Sequence, residues 1–396
     1  MVNSISIIIP CLNEEASIAD VVRAARMGFT SAGIPGEVLV VDNGSDDRSA
    51  ECAAEAGARV VTENKRGYGA AIRKGFSVAQ NDILVMADGD LSYDLTQLAE
   101  FVDPIRKGTA DFVVGNRLDG VHDGAMPKLH QHVGTPVLTW MVRILFGCKA
   151  LKDSQCGMRA IRKDAYFKLN CMTTGMEFAS EMIAKAAIEG LRIAQCDIEY
   201  HPRAGESKLR PLRDGWRHLR FLLLYIPSQA ILFPLLTLWL VTGTVMTMLA
   251  VGPLQIRSQQ FDVHSMLLLT ILNISSLQVL TGAMTARSYA HLNGFRPDAL
   301  IAWLYRHLHF GSAVAISAVW LLLGLAGVLF FGTQFSRSPE LFQKSDTTRL
   351  LLLCMCMIVN GLQLWLAGYL ASVMALPRHL DHLPSEAEDT GMADVE

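Results

Sequence analysis

The first half of the chain alternates between short apolar runs and more polar segments. The apolar runs predict buried β-strands at Ser4–Pro10, Glu37–Val41, Arg59–Glu63 and Ile83–Ala87. The segments between them carry helix start and stop signals, and they predict helices over Asn13–Met27, Asp46–Gly57 and Gly69–Gln80. Strands that alternate with helices form a mostly parallel sheet with helices on both faces. The predicted fold class is α/β, with ligands expected at the C-terminal ends of the strands.

The second half contains four long apolar runs, each with roughly the 20 residues that a membrane-spanning helix requires. They cover Ala230–Val251, Ser265–Ala286, Gly311–Gly332 and Arg349–Met374. An α-helical transmembrane domain is therefore expected after the α/β domain. The predicted domain limits are 1–212 for a catalytic domain, 213–229 for a juxtamembrane helix, 230–376 for the four spans and 377–396 for a polar tail.

The segment Trp216–Ser228 mixes basic residues with the apolar stretch Phe221–Tyr225, which predicts an amphipathic helix on the membrane surface. The alternative interpretation is an extended start of the first span. The loop between the second and third spans carries Arg287, Arg296 and Arg306. The positive-inside rule places this loop and the α/β domain in the cytoplasm. We therefore expect a multi-pass integral protein of a bacterial inner or plasma membrane.

Composition narrows the function only slightly. The formal net charge of −3 is close to balance, so no nucleic-acid partner is expected. The eight cysteines include no C-x-x-C pair and no Cys/His spacing typical of a zinc site.

Two acids separated by one residue follow the fourth predicted strand directly, in Asp88-Gly89-Asp90. Two carboxylates on such a turn can share one hard divalent cation, and Mg²⁺ or Mn²⁺ suits oxygen ligands and a diphosphate. The alternative is a polar turn capped by acids. Three further loops follow the ends of neighbouring strands, so all four loops are expected to reach one ligand: Pro10-Cys11-Leu12-Asn13-Glu14-Glu15, Val41-Asp42-Asn43-Gly44-Ser45-Asp46-Asp47 and Asn64-Lys65-Arg66-Gly67-Tyr68-Gly69.

This set of loops resembles the nucleotide-binding half of family 2 glycosyltransferases, which have the GT-A fold. The resemblance implies that the residues of these loops bind the nucleotide sugar: Pro10, Leu12, Asn13, Glu14, Asp42, Gly67, Gly69, Asp88 and Gly89. It also implies that Asp88 and Asp90 hold the metal.

Later motifs resemble those of dolichyl- or polyprenyl-phosphate mannose and glucose synthases. They are Val113-Val114-Gly115-Asn116-Arg117, Asp153-Ser154-Gln155-Cys156-Gly157-Met158-Arg159, Glu177-Phe178, and Arg203-x-Gly205-Glu206-Ser207-Lys208. By this resemblance the catalytic residues are Asp90, Arg117, Asp153 and Glu177. The residues that face the acceptor phosphate or the diphosphate are Arg117, Lys128, Arg203, Ser207 and Lys208.

The function implied is transfer of a hexose from a nucleotide sugar to polyprenyl phosphate, with inversion and with Mg²⁺ or Mn²⁺. A phosphomonoester is mostly a dianion at neutral pH, so it needs no strong general base. Many mannose synthases have Gln where this chain has Ser92, which favours UDP-glucose over GDP-mannose as the donor. A homo-oligomer formed through the membrane part is a further implication of the resemblance.

Three other functions stay open at this point. A processive polysaccharide synthase shares the nucleotide-binding half, but the Gln-x-x-Arg-Trp motif of such enzymes does not occur here. The spans could instead flip a lipid-linked sugar, for which Asn273, Gln278, Asn360 and Gln363 are the candidate polar residues. The last alternative is a scaffold that has kept the fold without activity.

Overall fold

The computed structural model describes residues 4–204, 211–226, 228–307, 310–337 and 345–375. The chain divides into two compact units, Met1–Tyr225 and Ile226–Glu396. The predicted polar tail at 377–396 lies outside the described residues.

The described residues of the first unit build one seven-stranded sheet with the order β3-β2-β1-β4-β6-β5-β7. All neighbouring strands pair in parallel except β6, which runs antiparallel to β4 and β5. The mostly parallel sheet expected from the sequence is therefore confirmed. The strands are β1 (Ile5–Cys11), β2 (Gly36–Asp42), β3 (Arg59–Thr62), β4 (Ile83–Met86), β5 (Phe112–Asn116), β6 (Arg159–Arg162) and β7 (Ile193–Asp197).

The four predicted strands match the observed ones closely. The apolar residues of β1, β2 and β4 are buried, whereas β3 lies at the edge of the sheet and is only partly buried. Ile7, Ile8 and Ile9 of β1 are completely buried, as are Leu84 and Val85 of β4. Continuous apolar runs are typical of parallel strands that helices cover on both sides.

Helices pack on both faces of the sheet and continue to the end of the unit. They are α1 (Ile18–Ala32), α2 (Ser49–Glu55), α3 (Tyr68–Val78), α4 (Leu98–Arg106), α5 (Thr135–Phe146), α6 (Lys163–Leu169), α7 (Phe178–Ile188) and α8 (Pro211–Leu223). The predicted start of α1 at Asn13 is wrong. Asn13 has a left-handed backbone (φ 53°), and its amide hydrogen-bonds to Ser45 Oγ at 3.0 Å. The hydrogen bond to Ser45, in the loop after β2, holds Asn13 in a conformation that cannot continue into the helix.

The amphipathic helix before the first span is α8, and it begins and ends earlier than the predicted limits. It ends at Leu223, and the next helix begins at Ser228. The alternative of one extended first span is therefore wrong. His218 of α8 is buried, and its Nδ1 lies 2.8 Å from Ser180 Oγ of α7.

The second unit is helical. Its elements are α9 (Ser228–Val251), α10 (Val263–Leu292), α11 (Ala299–His307), α12 (Phe310–Arg337) and α13 (Ser345–Met374), with a short hairpin of β8 (Leu254–Ile256) and β9 (Gln259–Phe261) between α9 and α10. In the described part of the chain, four helices are long and apolar enough to cross a membrane: α9, α10, α12 and α13. Each contains one predicted span, so these four predictions are confirmed.

A polar cluster joins three of the long helices. Asn273 Nδ2 donates to the Trp239 carbonyl at 2.9 Å and to Thr242 Oγ1 at 2.8 Å. Asn360 Nδ2 donates to Asn273 Oδ1 at 2.8 Å, and Cys356 Sγ contacts the same oxygen. Interhelical hydrogen bonds of this kind stabilise packing in lipid. This arrangement favours packing over transport for Asn273.

The buried His218 makes the stability of the first unit dependent on pH. Burial, followed by the nearby Arg159 charge, lowers the pKa of His218 from 6.5 to about 4. The unfolded chain therefore binds this proton more readily. Stability should be complete above pH 6.5 and should fall as the pH drops from 6.5 towards 4. The loss is up to a few kcal/mol, since one pKa unit is about 1.4 kcal/mol.

Thermal unfolding of the full chain in detergent, measured between pH 7.5 and 4, tests this expectation. His218→Gln should show a weaker fall over that range than the wild type. The exposed His132 provides the matched control, and His132→Gln should follow the wild type. Equal falls in all three proteins would contradict the assignment.

Candidate active site

A cavity of about 490 Å³ opens in the first unit, where β1, β2 and β4 end. Seven of the residues expected to bind nucleotide sugar or metal line it: Pro10, Leu12, Glu14, Gly67, Asp88, Gly89 and Asp90. Arg203, expected to face the acceptor, lines it too. The other lining residues are Cys11, Asn43, Arg66, Tyr68, Ala71, Met176, Arg213, Asp214 and Arg217.

The loop after β2 is shaped by its own side chains. The Asp42 carboxylate accepts hydrogen bonds from the amides of Gly44 at 3.3 Å and Ser45 at 3.1 Å. Asn13 Oδ1 accepts from the Asp46 amide at 2.8 Å, which ties the loops after β1 and β2 together. Asp42 and Asn13 therefore build one rim of the cavity, although neither is among the residues that line it.

Asn43, which the sequence analysis gave no role, connects this rim to the glycine loop. Its side-chain amide donates to the Glu63 and Lys65 carbonyls at 2.8 and 2.9 Å, and its Oδ1 accepts from the Gly67 amide at 2.7 Å. Gly67 has φ 137°, and a Cβ there would lie 2.2 Å from the Thr174 carbonyl oxygen. This glycine is therefore required by backbone packing as well as by the cavity.

Asp88 is partly exposed and lines the cavity. Its Oδ1 accepts a hydrogen bond from the Tyr68 hydroxyl at 3.1 Å. Burial, followed by the charge of Asp90, raises the pKa of Asp88 to about 6. A cation bound near Asp88 and Asp90, in addition to the Arg203 guanidinium, would favour the ionised form of both carboxyl groups.

Asp90 is only 4% exposed, and three groups orient it. The Ser92 amide and hydroxyl donate to Oδ1, the amide at 3.1 Å, and Arg203 donates to Oδ2. Leu91 between them has a left-handed backbone with φ 63°. Such strain in a non-glycine residue is common at functional sites. Ser92, where related mannose synthases have Gln, thus orients Asp90 through a short side chain.

Arg117 and Asp153 form a buried ion pair. Nε donates to Oδ2 at 2.7 Å and Nη2 to Oδ1 at 3.2 Å, and Asp153 is completely buried. Burial opposes the charge of Arg117, but the Asp153 carboxylate outweighs it, and the pKa of Arg117 is raised. The guanidinium lies over the Tyr200 ring, 5.2 Å from its centroid. Arg117 and Asp153 pair with each other, and neither side chain lines the cavity.

Arg159, the last residue of the Asp-x-x-x-Gly-x-Arg stretch, has a structural role. It is completely buried and donates to the carbonyls of Ser154, Cys156 and Ala179. Gly157 of the same stretch faces Asp88, and a Cβ at this position would lie 2.6 Å from Asp88 Oδ2. The glycine keeps that side of the Asp88 carboxylate open.

Two glutamates near the start of α7 differ in their partners. Glu181 is fully buried, and it accepts hydrogen bonds from the amides of Met172 and Thr173 and pairs with Lys185 Nζ at 2.9 Å. Glu177 Oε2 is buried, and no group of the described residues hydrogen-bonds to it. Because an unpaired buried carboxylate oxygen is costly, Glu177 is a candidate for contact with a ligand, although its neighbour Met176 and not Glu177 itself is among the residues that line the cavity.

The remaining predicted residues lie elsewhere. Lys128 is exposed in the connection after β5 and does not line the cavity. Gly69 packs against α7, where a Cβ would lie 2.8 Å from Phe178 Cβ. Ser207 and Lys208 fall outside the described residues.

The donor set fits a hard divalent cation. Asp88 and Asp90 offer carboxylate oxygens at the cavity floor, and Gly157 leaves space beside Asp88. Oxygen-only ligands suit Mg²⁺ and Mn²⁺.

Comparison with known proteins agrees with this geometry. Residues 6–169 match the model of the family described as glycosyl transferase family 2, and residues 284–375 match that of the glycosyltransferase family 2 C-terminal transmembrane region. The low-salt glycan biosynthesis hexosyltransferase Agl6 of Haloferax volcanii is 36% identical over 332 residues, which cover 83% of this chain and 79% of that protein. The chain belongs to glycosyltransferase family 2. It is therefore a glycosyltransferase and a membrane protein, and the GT-A fold expected from the sequence is confirmed.

Two further similarities concern the first unit, Met1–Tyr225, which is the catalytic unit of this glycosyltransferase. A dolichyl-phosphate hexose transferase of Haloferax volcanii is 32% identical over 213 residues, which are 54% of this chain and 90% of that protein. Among solved structures, glucosyl-3-phosphoglycerate synthase from Mycobacterium tuberculosis, in complex with Mn²⁺, UDP and glucosyl-3-phosphoglycerate, has a TM-score of 0.46 and 24% identity. That similarity covers 57% of this chain and 81% of that one.

The two glutamates near the start of α7 allow a matched comparison. Glu177→Gln should lower glycosyl transfer at an unchanged melting temperature, because its buried oxygen has no structural partner among the described residues. Glu181→Gln should destabilise the catalytic unit by about 3 kcal/mol, since it breaks a buried ion pair. Thermal unfolding and transfer rates of both variants are the measurement. A Glu177→Gln protein that melts early and transfers normally would overturn the distinction.

Proposed function

We propose that this enzyme transfers a hexose, glucose from UDP-glucose, to polyprenyl phosphate at the cytoplasmic membrane face, with inversion and with Mg²⁺ or Mn²⁺ held by Asp88 and Asp90. GDP-mannose is the second candidate donor. The observation that carries the proposal is the charge distribution of the cavity. Asp88 and Asp90 lie side by side in its lining, together with Glu14 and Asp214, and four arginines line it: Arg66, Arg203, Arg213 and Arg217.

The nucleotide sugar and the polyprenyl phosphate are both anions, and the charged groups of this cavity suit both. A cation at Asp88 and Asp90 would supply Lewis-acid stabilisation to the leaving nucleoside diphosphate. Arginine binds phosphate through two parallel hydrogen bonds, so Arg203, Arg213 and Arg217 suit the acceptor phosphate. Arg213 and Arg217 are four residues apart on α8, a spacing that places both on one face of the helix.

The reaction needs no strong base. An oxygen of the acceptor phosphate attacks the anomeric carbon and forms the new C–O bond. The bond from that carbon to the diphosphate oxygen breaks, and its electron pair leaves with the nucleoside diphosphate. Attack opposite the leaving group inverts the configuration. Glu177, whose buried oxygen has no partner among the described residues, accepts a hydrogen bond from a sugar hydroxyl. Asp153 acts indirectly by holding Arg117.

Exposed apolar side chains on the catalytic unit support a lipid acceptor. Residues of α5 and the turn before it form a stripe with helical spacing, each at least half exposed: Leu129, Val133, Val137, Trp140 and Ile144. On α8, Trp216 is 60% exposed and Leu223 is 41% exposed. Exposed apolar stripes on amphipathic helices are typical of proteins that lie at a membrane surface. A dolichyl-phosphate hexose transferase is also among the relatives.

A transfer assay with the full chain in detergent tests the proposal. Protein, Mn²⁺ or Mg²⁺ and a short polyprenyl phosphate are incubated with radiolabelled nucleotide sugars, one at a time. Label from UDP-glucose should become soluble in organic solvent as the β-linked product. Asp90→Asn should lower the rate on the order of 100-fold or more, as loss of a group that stabilises transition-state charge does. Asp123 is exposed, so Asp123→Asn is the matched control and should keep the wild-type rate.

The other outcomes are equally informative. Transfer from GDP-mannose alone would replace the proposed sugar and keep the acceptor. An α-linked product from an α-linked donor would exclude inversion. Label found only in a water-soluble polymer would indicate a polysaccharide synthase, and no transfer from any donor together with no nucleotide binding would indicate a scaffold.

A further inference from the structure

A second group of candidate metal ligands lies away from the Asp88 and Asp90 pair. His122 follows β5, and Glu199 and His201 follow β7. The Nε2 atoms of His122 and His201 lie 3.6 and 3.4 Å from the same oxygen, Glu199 Oε2. One ligand atom from each of the three residues lies within 4.8 Å of the others. The two imidazole rings stack at 4.3 Å between centroids.

These distances are close to those of a tetrahedral zinc site. With Zn–N and Zn–O distances near 2.0–2.2 Å, ligand atoms in tetrahedral geometry are about 3.3–3.5 Å apart. The two measured N–O separations match this spacing. The two stacked rings would have to rotate so that the lone pairs of both Nε2 atoms, which lie in the ring planes, point to one ion. All three side chains are partly or largely exposed, so an ion can enter and water can complete its coordination.

The backbone that carries the ligands is already in place. The His122 amide donates to the Tyr200 carbonyl at 3.0 Å, and the Tyr200 amide donates to the Gly120 carbonyl at 2.8 Å. The His201 amide donates to the Ser92 carbonyl at 3.0 Å. Two chain segments are therefore cross-linked at the ligands before any ion binds, which reduces the conformational entropy that binding must overcome.

We propose that His122, Glu199 and His201 form a second cation site, selective for Zn²⁺ and similar first-row metals. Two imidazoles and one carboxylate suit such borderline ions, whereas Asp88 and Asp90 offer oxygens alone and suit Mg²⁺ or Mn²⁺. The two sites thus differ in ligand chemistry and take different metals.

An ion at this site would stabilise the segment that reaches the active site. Tyr200 lies between the two ligands Glu199 and His201 and packs against Arg117. Two residues after His201, Arg203 donates to the Asp90 carboxylate, and the Ala204 amide donates to the Asp90 carbonyl at 2.9 Å. Zinc at the rim would therefore hold Arg203 beside the metal-binding acids.

Cobalt binding by the full chain, purified in detergent without a histidine tag and freed of metal by chelation, tests the proposal. Co²⁺ reports tetrahedral coordination by a visible absorption spectrum, and Zn²⁺ should displace it. The spectrum should be lost in His122→Ala and in His201→Ala. It should persist in Asp90→Asn, which alters the other site, and in His132→Ala, the matched exposed histidine.

A second measurement does not depend on the spectrum. Zn²⁺ should raise the melting temperature of the wild type, because a ligand that binds only the folded state stabilises it. The shift should be absent in Glu199→Gln. A spectrum that survives both histidine substitutions, a spectrum lost in Asp90→Asn, or no binding by the wild type would each overturn the proposal. In the last case the histidines would only stack and share Glu199.

Discussion

The catalytic unit depends on keeping two neighbouring carboxylates, one buried and one partly exposed, at the end of one strand. Asp88 and Asp90 are separated by a single residue, and both face the cavity floor. Burial of two like charges is unfavourable, and the raised pKa of Asp88 reflects that cost. Tyr68, Ser92 and Arg203 each donate a hydrogen bond to one of the pair. Arg203 follows β7 and donates to Asp90, which follows β4. This contact requires the chain after β7 to pass beside the end of β4.

The partners of the acidic residues and their position relative to the cavity together separate structural from functional residues. Asp153 is neutralised by Arg117, and Glu181 by Lys185 together with hydrogen bonds from Met172 and Thr173. These acids have no capacity left for a substrate. Asp88 and Asp90 face the cavity, and one oxygen of Glu177 has no partner in the described part of the chain. Asp90 also pairs with Arg203, so its position in the cavity lining, and not the lack of a partner, distinguishes it from Asp153 and Glu181.

Much of the fold was predictable because its signals are local. Strands β1 to β4 are apolar runs bounded by polar loops, and the four spans are long apolar runs, so neighbouring residues alone reveal them. Helix starts were less accurate, since a contact distant in sequence ends the loop before α1: Asn13 bonds to Ser45 and Asp46. The limits of α8 also differ from the predicted ones, since the helix begins at Pro211 and ends at Leu223. Most predicted site residues in the loops after β1, β3 and β4 met at one cavity because parallel strands end at one edge, whereas Lys128, on a long connection after β5, did not.

The sequence by itself determined the α/β unit, the four spans and the family resemblance, because strand and span periodicity and loop motifs are carried by adjacent residues. Only the tertiary structure decided which charged residues pair with each other. It showed that Asp153 belongs to Arg117, that Arg203 belongs to Asp90, and that Arg213 and Arg217 line the cavity. It also brought His122 to Glu199 and His201, a cluster that no spacing along the chain reveals. Side chains far apart in sequence become neighbours only when strands pair, so their electrostatic relations cannot be read from local pattern.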